Sequence, residues 1–593
     1  MLDFDLILVF IVLLFILISL YREILGPAFT FMVGVIFLGV FGVLTPGEIL
    51  KGFANEQVAV VILLLMVGDL IRKTGAVEII FDRYFKSAKS YNGFLSRMIL
   101  LLSGFSSFLN NTPLVAVMMP YVHNWCKRNN YAPSKFLIPL SYAAILGGCA
   151  TLIGTSTNLI VGGLVAEQTI APDLKPLNIF DFSAVGFIMI LFGYAYLMLL
   201  GNKLLPSRPD VITQFSTGGR EYLIESRIPE KSELVGKTVE EAGFKNLPGM
   251  DLVELWRRGY KITDFGQELL LDRGDVLIFA GDNETIADMI KEQRGLSLPE
   301  VGMLVKRKRS EIVEVVVSQN STLINKMVKE SNFRQKYDAA VISVHRNGEL
   351  IKGKFGEVFL KAGDVLLLFT GADFVQRTAT TSDFYFISKV REFIRVEWYK
   401  NAVLLGGIIT AIVLSALNIF PLILSLLVLI ILSLALKITH PKELPRSIDY
   451  TLAIIIVLSL ALGTAMIKSG AADLIANGII SLFMPFGTIG ILTGIFLITS
   501  VLAAYITAKA AAVIIFPISL TTAVNLGLNP LPFVLIVAFA SAANFMTPIG
   551  FQTNLMVYGP GGYTFNDFFR VGAPLTFLYM VVAVSMLYLI YLV

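Results

Sequence analysis

Two stretches of small polar residues recur in a chain that is otherwise hydrophobic. Residues 151–159 read Thr-Leu-Ile-Gly-Thr-Ser-Thr-Asn-Leu, and residues 547–555 read Thr-Pro-Ile-Gly-Phe-Gln-Thr-Asn-Leu, 396 positions later. Oxygens exposed by a break in a membrane helix suit a hard cation, and the N–H groups at the start of a helix suit an anion. The repeat therefore predicts matched ion-binding segments in two halves of a membrane protein, as transporters have.

A second matched pair of segments precedes these two. Residues 110–112 (Asn-Asn-Thr) interrupt an apolar stretch near 98–122, and residues 507–509 (Thr-Ala-Lys) interrupt another near 488–517. Each stretch is predicted to form a re-entrant hairpin with two half-length apolar arms and a polar tip. Non-helical backbone at that depth must be covered by protein or face a wet cavity, which favours a binding site. The alternative is that Asn and Thr only cap broken helices.

Hydropathy places these segments in a polytopic membrane protein. The 593 residues are 55% hydrophobic, with a mean hydropathy of +0.74. The first apolar run lacks a basic flank and a small-residue cleavage site, so it is predicted to be a span and not a signal peptide. Apolar runs of spanning length occur at 6–20, 28–44, 57–71, 136–165, 183–201, 402–418, 420–436, 450–467, 488–503, 531–546 and 571–593.

Several function classes find no support in the composition. The formal net charge of +4 gives no reason to expect a nucleic-acid partner. The two cysteines, Cys126 and Cys149, form no C-x-x-C pair, and the three histidines are far apart. No nucleophile–base pair or metal constellation is visible, so an enzyme is not expected.

A polar insert divides the chain. Hydropathy falls between residues 206 and 396, and this stretch is itself a tandem repeat in which Gly274-Asp275-Val276-Leu277 returns as Gly363-Asp364-Val365-Leu366, 89 residues later. Short alternating strands, such as 275–280 and 313–317, predict two small α+β domains. We expect a first membrane half at 1–205, insert domains at 206–300 and 301–396, and a second membrane half at 397–593.

Basic residues in the short loops predict the orientation. Segments 72–97, 123–135 and 437–448 are rich in Lys and Arg, whereas 166–180 and 468–487 contain one lysine each. The basic loops are expected in the cytoplasm, which puts the N-terminus outside and residues 206–396 inside. The two halves then have opposite orientations and form an inverted repeat, with a site expected where they meet.

The tip Leu109-Asn-Asn-Thr-Pro113 and the segments Gly154-Thr-Ser-Thr-Asn158 and Pro548-Ile-Gly-Phe-Gln-Thr-Asn554 resemble the divalent anion/sodium symporter family, the sodium/sulfate and sodium/dicarboxylate cotransporters. The resemblance covers about 28–200 and 400–593. It implies the ion-transporter-superfamily fold, a homodimer and a Ser-Asn-Thr motif at each hairpin tip. The insert, over about 215–375, resembles paired TrkA-C (RCK-C) domains.

By this resemblance the functional residues fall into two overlapping groups. A first sodium site is expected at Asn110, Asn111, Gly154, Thr155 and Asn158. The substrate-binding residues are expected to be Asn110, Asn111, Thr112, Thr157, Asn158, Thr507, Lys509, Thr553 and Asn554.

The second tip departs from the family pattern, because Thr507-Ala508-Lys509 stands where Ser-Asn-Thr is expected. A lysine at that depth is costly in lipid and is usually paired or functional. Its ammonium could replace the second sodium, allow proton coupling if its pKa is depressed, or bind the anion. Otherwise its head snorkels to the outer surface.

The leading hypothesis is a secondary active transporter in the plasma (inner) membrane that moves sulfate or a C4-type dicarboxylate with sodium, regulated by a nucleotide such as cyclic di-AMP on the insert. One alternative is a sodium/proton or arsenite-type exchanger, which would need an intramembrane acidic pair; Asp69 is the main candidate. A ligand-gated channel or a sensor is the other alternative, suggested by the insert alone.

Overall fold

The structure is a computed structural model of the whole chain. The residues that it does not describe are 1–3, 23, 75–80, 82–83, 86–87, 89, 209–221, 231, 243, 245–249, 258–259, 263–268, 282–310, 319–320, 332, 338, 347–348, 352–357, 371–373, 379–380, 382, 387–397, 418, 442–443, 445–447 and 449. Part of the basic segments used for the orientation, including Arg83, Lys86, Lys89, Lys442 and Arg446, lies outside the described residues.

The first membrane half contains nine described helices. They are α1 (Phe4–Tyr21), α2 (Pro27–Val40), α3 (Pro46–Lys51), α4 (Glu56–Lys73), α5 (Tyr91–Ser106), α6 (Asn111–Asn129), α7 (Leu137–Gly148), α8 (Ser156–Glu167) and α9 (Ser183–Leu204). Local sequence explains several helix starts. The Ser90 hydroxyl accepts from the backbone of Gly93 at the start of α5, and Pro27 occupies the first turn of α2, where its missing N–H costs nothing.

The insert forms two antiparallel sheets. The first contains β1 (Tyr222–Arg227), β2 (Met250–Arg257), β3 (Tyr260–Ile262) and β4 (Val276–Gly281), in the order β1-β4-β2-β3. The second contains β5 (Glu311–Val317), β6 (Ala339–Arg346), β7 (Glu349–Leu350), β8 (Val365–Thr370) and β9 (Phe384–Phe386), in the order β7-β6-β8-β5-β9. Two short helices, α10 (Phe333–Tyr337) and α11 (Phe374–Thr378), accompany the second sheet. We call these units the first and second insert domains.

The repeated Gly-Asp turns have a structural role in both insert domains. Asp275 is buried and accepts two hydrogen bonds from the Arg257 guanidinium, at 2.8 and 2.7 Å. Asp364 makes the same pair with Arg346, at 2.7 and 2.8 Å. These hydrogen bonds raise the pKa of each arginine above its usual value and hold the turn that begins the strand.

The second membrane half repeats the first. Its helices are α12 (Trp398–Ala416), α13 (Leu422–Ala435), α14 (Tyr450–Lys468), α15 (Ala471–Phe483), α16 (Gly487–Tyr505), α17 (Ala508–Asn525), α18 (Pro530–Ala542), α19 (Gln552–Tyr558) and α20 (Phe565–Tyr591). Helices α5 to α9 correspond in order to α16 to α20. The internal packing also corresponds, because α5 packs on α7 and α7 on α9, as α16 packs on α18 and α18 on α20.

The two halves interlock through their broken helices. Helix α8 packs on α17 and α18 of the other half, and α19 packs on α6 and α7. All twelve residues of α7 are buried, and 83% of α17 is buried. Backbone that lacks helical hydrogen bonds is therefore covered by protein where these elements meet, as the absence of water in a bilayer requires.

The chain is a helical, polytopic membrane protein. Within the described residues, seven helical stretches are long and apolar enough to cross a membrane: 4–21, 46–71, 183–204, 399–416, 471–505, 508–525 and 565–591. The hairpin arms are longer than the half-length segments expected from sequence, since α5, α6, α16 and α17 contain 16, 19, 19 and 18 residues. The difference arises because helical pattern continues past the apolar stretch at both ends. That the hairpins are re-entrant stays a prediction.

Candidate functional site

Four interruptions of helical structure surround the meeting point of the two halves. We call residues 107–110 the first tip and 149–155 the first break; residues 506–507 are the second tip and 543–551 the second break. Helices α6, α8 and α17 each begin at one of these interruptions and are 19, 12 and 18 residues long. The helix starts carry partial positive charge and unpaired N–H groups, so the region favours an anion.

Each break contacts the hairpin of its own half, either at the tip or in the last turn of the helix before it. In the first half, the Thr151 hydroxyl donates to the carbonyl of Ser107, and the Ser106 hydroxyl donates to Asn111 Oδ1 at 2.6 Å. In the second half, Asn544 Nδ2 donates to the carbonyl of Ala503 at 2.8 Å. The tip and the break are thus one unit in each half, which is the proximity that a site built from both segments requires.

Gly154 brings backbone carbonyls together within the first unit. A Cβ at this position would lie 2.6 Å from the carbonyl oxygen of Gly148 and 2.9 Å from that of Ser106. No side chain fits at that distance, so the glycine permits the close approach of the first break to the end of α5. The result is a buried region rich in carbonyl oxygens, which are ligands suited to a hard cation.

Asn158 and Asn554 hold the two breaks in the same way. Asn158 Nδ2 donates to the carbonyls of Gly148 and Thr151, at 3.4 and 2.8 Å. Asn554 Nδ2 donates to the carbonyls of Asn544 and Thr547, at 2.7 and 3.0 Å. The sequence repeat is therefore a repeat of geometry, in which each asparagine joins the first part of a break to the helix that follows it.

The side-chain oxygens of the two repeats have different environments. Within the described part of the chain, Thr157 Oγ1 and Asn158 Oδ1 are buried and have no hydrogen-bond partner. In the second half, the Ser141 hydroxyl lies 2.7 Å from Asn554 Oδ1 and 2.8 Å from Thr553 Oγ1. A hydroxyl can donate once and accept as well, so Ser141 satisfies both oxygens.

The difference has a sequence origin on the two helices that face the asparagines. Ser141 lies on α7, and the position 396 residues later on α18 is Val537. Helix α18 packs on α8 as α7 packs on α19. The helix that packs on α8 thus has an apolar residue, Val537, at the position where the helix that packs on α19 has the Ser141 hydroxyl, and the oxygens of Thr157 and Asn158 stay available to a ligand.

The capping alternative holds for some of the predicted residues and not for others. Asn110 and Thr507 are the N-caps of α6 and α17, and their side chains accept from Thr112 and Ala510 backbone N–H groups. Thr155 is the N-cap of α8 but makes no side-chain cap hydrogen bond. Asn111, Thr157 and Asn158 are buried helical residues, not caps. Capping therefore accounts for Asn110 and Thr507 alone.

Thr112 connects the first tip to the second repeat. Its hydroxyl donates to Gln552 Oε1 at 3.1 Å, across 440 residues of sequence. Lys509 is half-buried in the first turn of α17, two residues after the cap. It is thus a cationic residue in the first turn of that helix.

The structure therefore places the predicted residues in two groups. Asn110, Asn111, Gly154, Thr155, Thr157 and Asn158 belong to the first tip and break or to the helices that begin there. Thr553 and Asn554 lie at the start of α19, and Thr507 and Lys509 lie at the second tip. Ser106, Ser141 and Gln552 are contacts that sequence reasoning missed. Gln552 lies inside the repeated segment, whereas Ser141 lies in a fully buried helix with no polar pattern.

The exchanger alternative requires an intramembrane acidic pair, for which Asp69 is the main candidate. Asp69 is half-buried on α4. In the described ranges, no group of three or more His, Cys, Asp or Glu side chains could hold a metal ion.

Comparison with known proteins gives one family. The profile of the citrate transporter family (CitMHS) matches residues 10–501 and, in a second alignment, residues 412–593. An uncharacterized transporter of Synechocystis sp. is 32% identical over 99% of this chain and 98% of its own. A Chlamydomonas reinhardtii protein, provisionally named a sulfur deprivation response regulator, is 32% identical over 92% of this chain and 94% of its own. Sodium/sulfate cotransporter 1 of the same alga is 30% identical over 58% of this chain and 41% of its own.

Proposed function

This chain belongs to the citrate transporter family, and on that premise we propose that it moves a small divalent anion across the membrane together with sodium. The anion is sulfate or a C4-type dicarboxylate. Sulfate is the first candidate, because relatives that are 30% and 29% identical over 58% and 62% of this chain are named sodium/sulfate cotransporters.

One observation carries the sodium proposal, namely the two unpartnered oxygens Thr157 Oγ1 and Asn158 Oδ1. A buried polar atom without a partner costs about 1–3 kcal/mol, so a structure that keeps two together has a reason to keep them. The carbonyl oxygens around Gly154 add to the same region. Sodium would satisfy these oxygens, which adds Thr157 to the sodium ligands expected from sequence, Asn110, Asn111, Gly154, Thr155 and Asn158.

The second half supports an anion better than a second cation. Its matching oxygens are satisfied by Ser141, and Lys509 adds a fixed positive charge to the start of α17. The substrate would be bound between the tips by Thr507 and Lys509, and by Thr112, Thr553 and Asn554 in exchange for their present hydrogen bonds.

We place the protein in the plasma (inner) membrane as a homodimer, with the insert in the cytoplasm. Alternating access would occur by movement of one repeat against the other, around the interlocked helices α8 and α19. The insert domains would act as TrkA-C-like regulatory modules that bind a nucleotide such as cyclic di-AMP.

Uptake into proteoliposomes tests the function. Labelled sulfate and labelled succinate are each supplied with a sodium gradient, a potassium gradient or a proton gradient alone. We expect uptake of at least one anion with sodium and background uptake with potassium. Absence of cation-dependent uptake for both anions would refute the transport proposal.

A further inference from the structure

The second insert domain lies directly against α19, the short helix that follows the second break. A Cβ built on Gly559, at the end of α19, would lie 3.0 Å from Val365 Cγ2 and 3.1 Å from the carbonyl oxygen of Gly363. A Cβ on Gly363 would in turn lie 3.0 Å from Leu555 Cδ1. The turn before β8 therefore covers the side of α19, and the contact is tight at both glycines.

Val316 and Val365 lie on the face of the second sheet that contacts the membrane part. Val313, Val315 and Val317 belong to the core of the insert domain itself, whereas Val316 and Val365 belong to the large buried cluster of the membrane helices. Alternate residues of β5 thus pack in opposite directions, as a strand requires. Around Val316 and Val365, the outer face of this sheet therefore packs against the membrane part and is not exposed.

A chain of hydrogen bonds leads from the insert to the first tip. Gln552 Nε2 donates to the Tyr385 hydroxyl at 2.6 Å, and the same hydroxyl lies 3.0 Å from Ser318 Oγ. Gln552 Oε1 accepts from Thr112 at 3.1 Å. Because Gln552 is the first residue of α19, Tyr385 reaches the level of the break and not only the outer end of the helix.

The lengths of the two matched helices explain how Tyr385 reaches so far. Helix α8 has twelve residues after its break, but α19 has only seven. At 1.5 Å per residue, α19 is therefore about 8 Å shorter than α8. The second insert domain occupies the side of the molecule that the shorter helix leaves uncovered.

We propose that the second insert domain is the gate on its own side of the membrane: while β9 and the turn before β8 are docked on α19, Tyr385 closes the path between the transport site and that side. The inference rests on the proposed transport function and adds that the insert itself is the barrier. Release of an anion on this side then requires Tyr385 to leave Gln552 and the turn to leave Gly559.

A reversible crosslink tests this gate. In the double variant Val365→Cys with Gly559→Cys, a sulfur replaces the methyl group that lies 3.0 Å from the new Cβ, a separation compatible with a disulfide. After oxidation we expect uptake to fall at least tenfold and to return on reduction. The two single variants, treated with the same oxidant, keep their uptake. Full uptake by the oxidised pair would overturn the gate, because the insert would then stay docked through the whole cycle.

A second readout does not depend on the substrate. Thr112→Cys is labelled with a membrane-impermeant thiol reagent from the insert side, and the parent protein corrects for the buried Cys126 and Cys149. We expect Tyr385→Ala to accelerate labelling about tenfold and Leu270→Ala, in the first insert domain, to leave it unchanged. Equal rates with and without Tyr385 would overturn the gate. If the reduced double variant transports neither sulfate nor succinate while Tyr385→Ala still accelerates labelling, the transport proposal fails and the gate stands.

Discussion

Asn158 and Asn554 make the same two backbone hydrogen bonds 396 residues apart, yet only the side-chain oxygen of Asn554 is satisfied by a protein donor. The backbone hydrogen bonds of the two repeats are thus symmetric. The side-chain oxygens are not, because those of the first repeat are available to a ligand and those of the second are not. Ser141 supplies the donor in one half, and Val537 occupies the equivalent position in the other. This asymmetry is the basis of the assignment of sodium to the first half.

Introducing the missing hydroxyl should weaken sodium binding. In Val537→Ser, a donor on α18 can satisfy Asn158 Oδ1, so sodium must displace a hydrogen bond worth about 0.5–1.5 kcal/mol. We expect the sodium concentration for half-maximal uptake to rise roughly 2- to 10-fold. Val537→Ala is the matched control, since it shortens the side chain without adding a donor and should keep the sodium dependence of the parent.

Removing the Ser141 hydroxyl, which contacts the second repeat, should affect stability and not sodium. Ser141→Ala leaves Asn554 Oδ1 without its donor and the Thr553 hydroxyl without its acceptor in a buried site, at a cost of about 1–3 kcal/mol. Thermal unfolding in detergent should show a lower midpoint for the variant. An unchanged midpoint would mean that water or another group replaces the serine at no cost.

Neutralising the lysine at the second tip should weaken anion binding. Lys509→Met keeps the length of the side chain and removes its charge, so we expect the KM for the anion to rise at least about tenfold, or ~1.4 kcal/mol. Lys509→Arg keeps the charge and should change the KM less. If Lys509→Met leaves both the anion KM and the sodium dependence unaltered, the lysine has no role in transport.

Acid should loosen the second insert domain through Asp383. Burial alone would raise the pKa of this carboxyl, but hydrogen bonds from Tyr337, Thr322 and Lys336 outweigh it and lower the pKa below its usual range. A lowered pKa in the folded state stabilises the domain above the unfolded pKa of about 4, and that stabilisation is lost as pH falls through the folded value.

In Asp383→Asn, the carboxylate that accepts these hydrogen bonds is lost, and we expect about 1–3 kcal/mol less stability at pH 7. Protease sensitivity of the insert in the full-length protein measures the effect at pH 7 and at pH 3. The parent should become more sensitive at pH 3, and the variant should change less. Equal pH dependence in both would exclude Asp383 as the responsible group.

Much of the fold follows from simple sequence patterns. Apolar runs located many of the long helices to within a few residues; the run at 183–201, for example, lies within α9, Ser183–Leu204. They missed α15, Ala471–Phe483, which lies in the segment 468–487 that was expected to be an outer loop. The 89-residue repeat located matching strands, β4 at Val276–Gly281 and β8 at Val365–Thr370. These patterns are local, since burial of one segment dictates its own hydropathy.

The asymmetry of the site could not be predicted in the same way. It depends on the presence of Ser141 in α7 and of Val537 at the equivalent position in α18. Both helices are largely apolar, and only three-dimensional packing places α7 beside α19 and α18 beside α8. Tyr385 likewise lies in a strand of the insert and meets Gln552 across 167 residues. A single sequence gives no signal for contacts between segments that are not repeats of one another.

Simultaneous measurement of sodium and sulfate flux in one set of proteoliposomes tests the central claim most directly. Sodium and sulfate are labelled separately, and each flux is followed with and without the other ion, for the parent and for Thr157→Val. We predict that each ion enters only when the other is present, and that Thr157→Val requires more sodium for the same sulfate flux. Sulfate entry at full rate without sodium, or a sodium dependence that Thr157→Val does not change, would contradict the sodium site at Thr157 and Asn158.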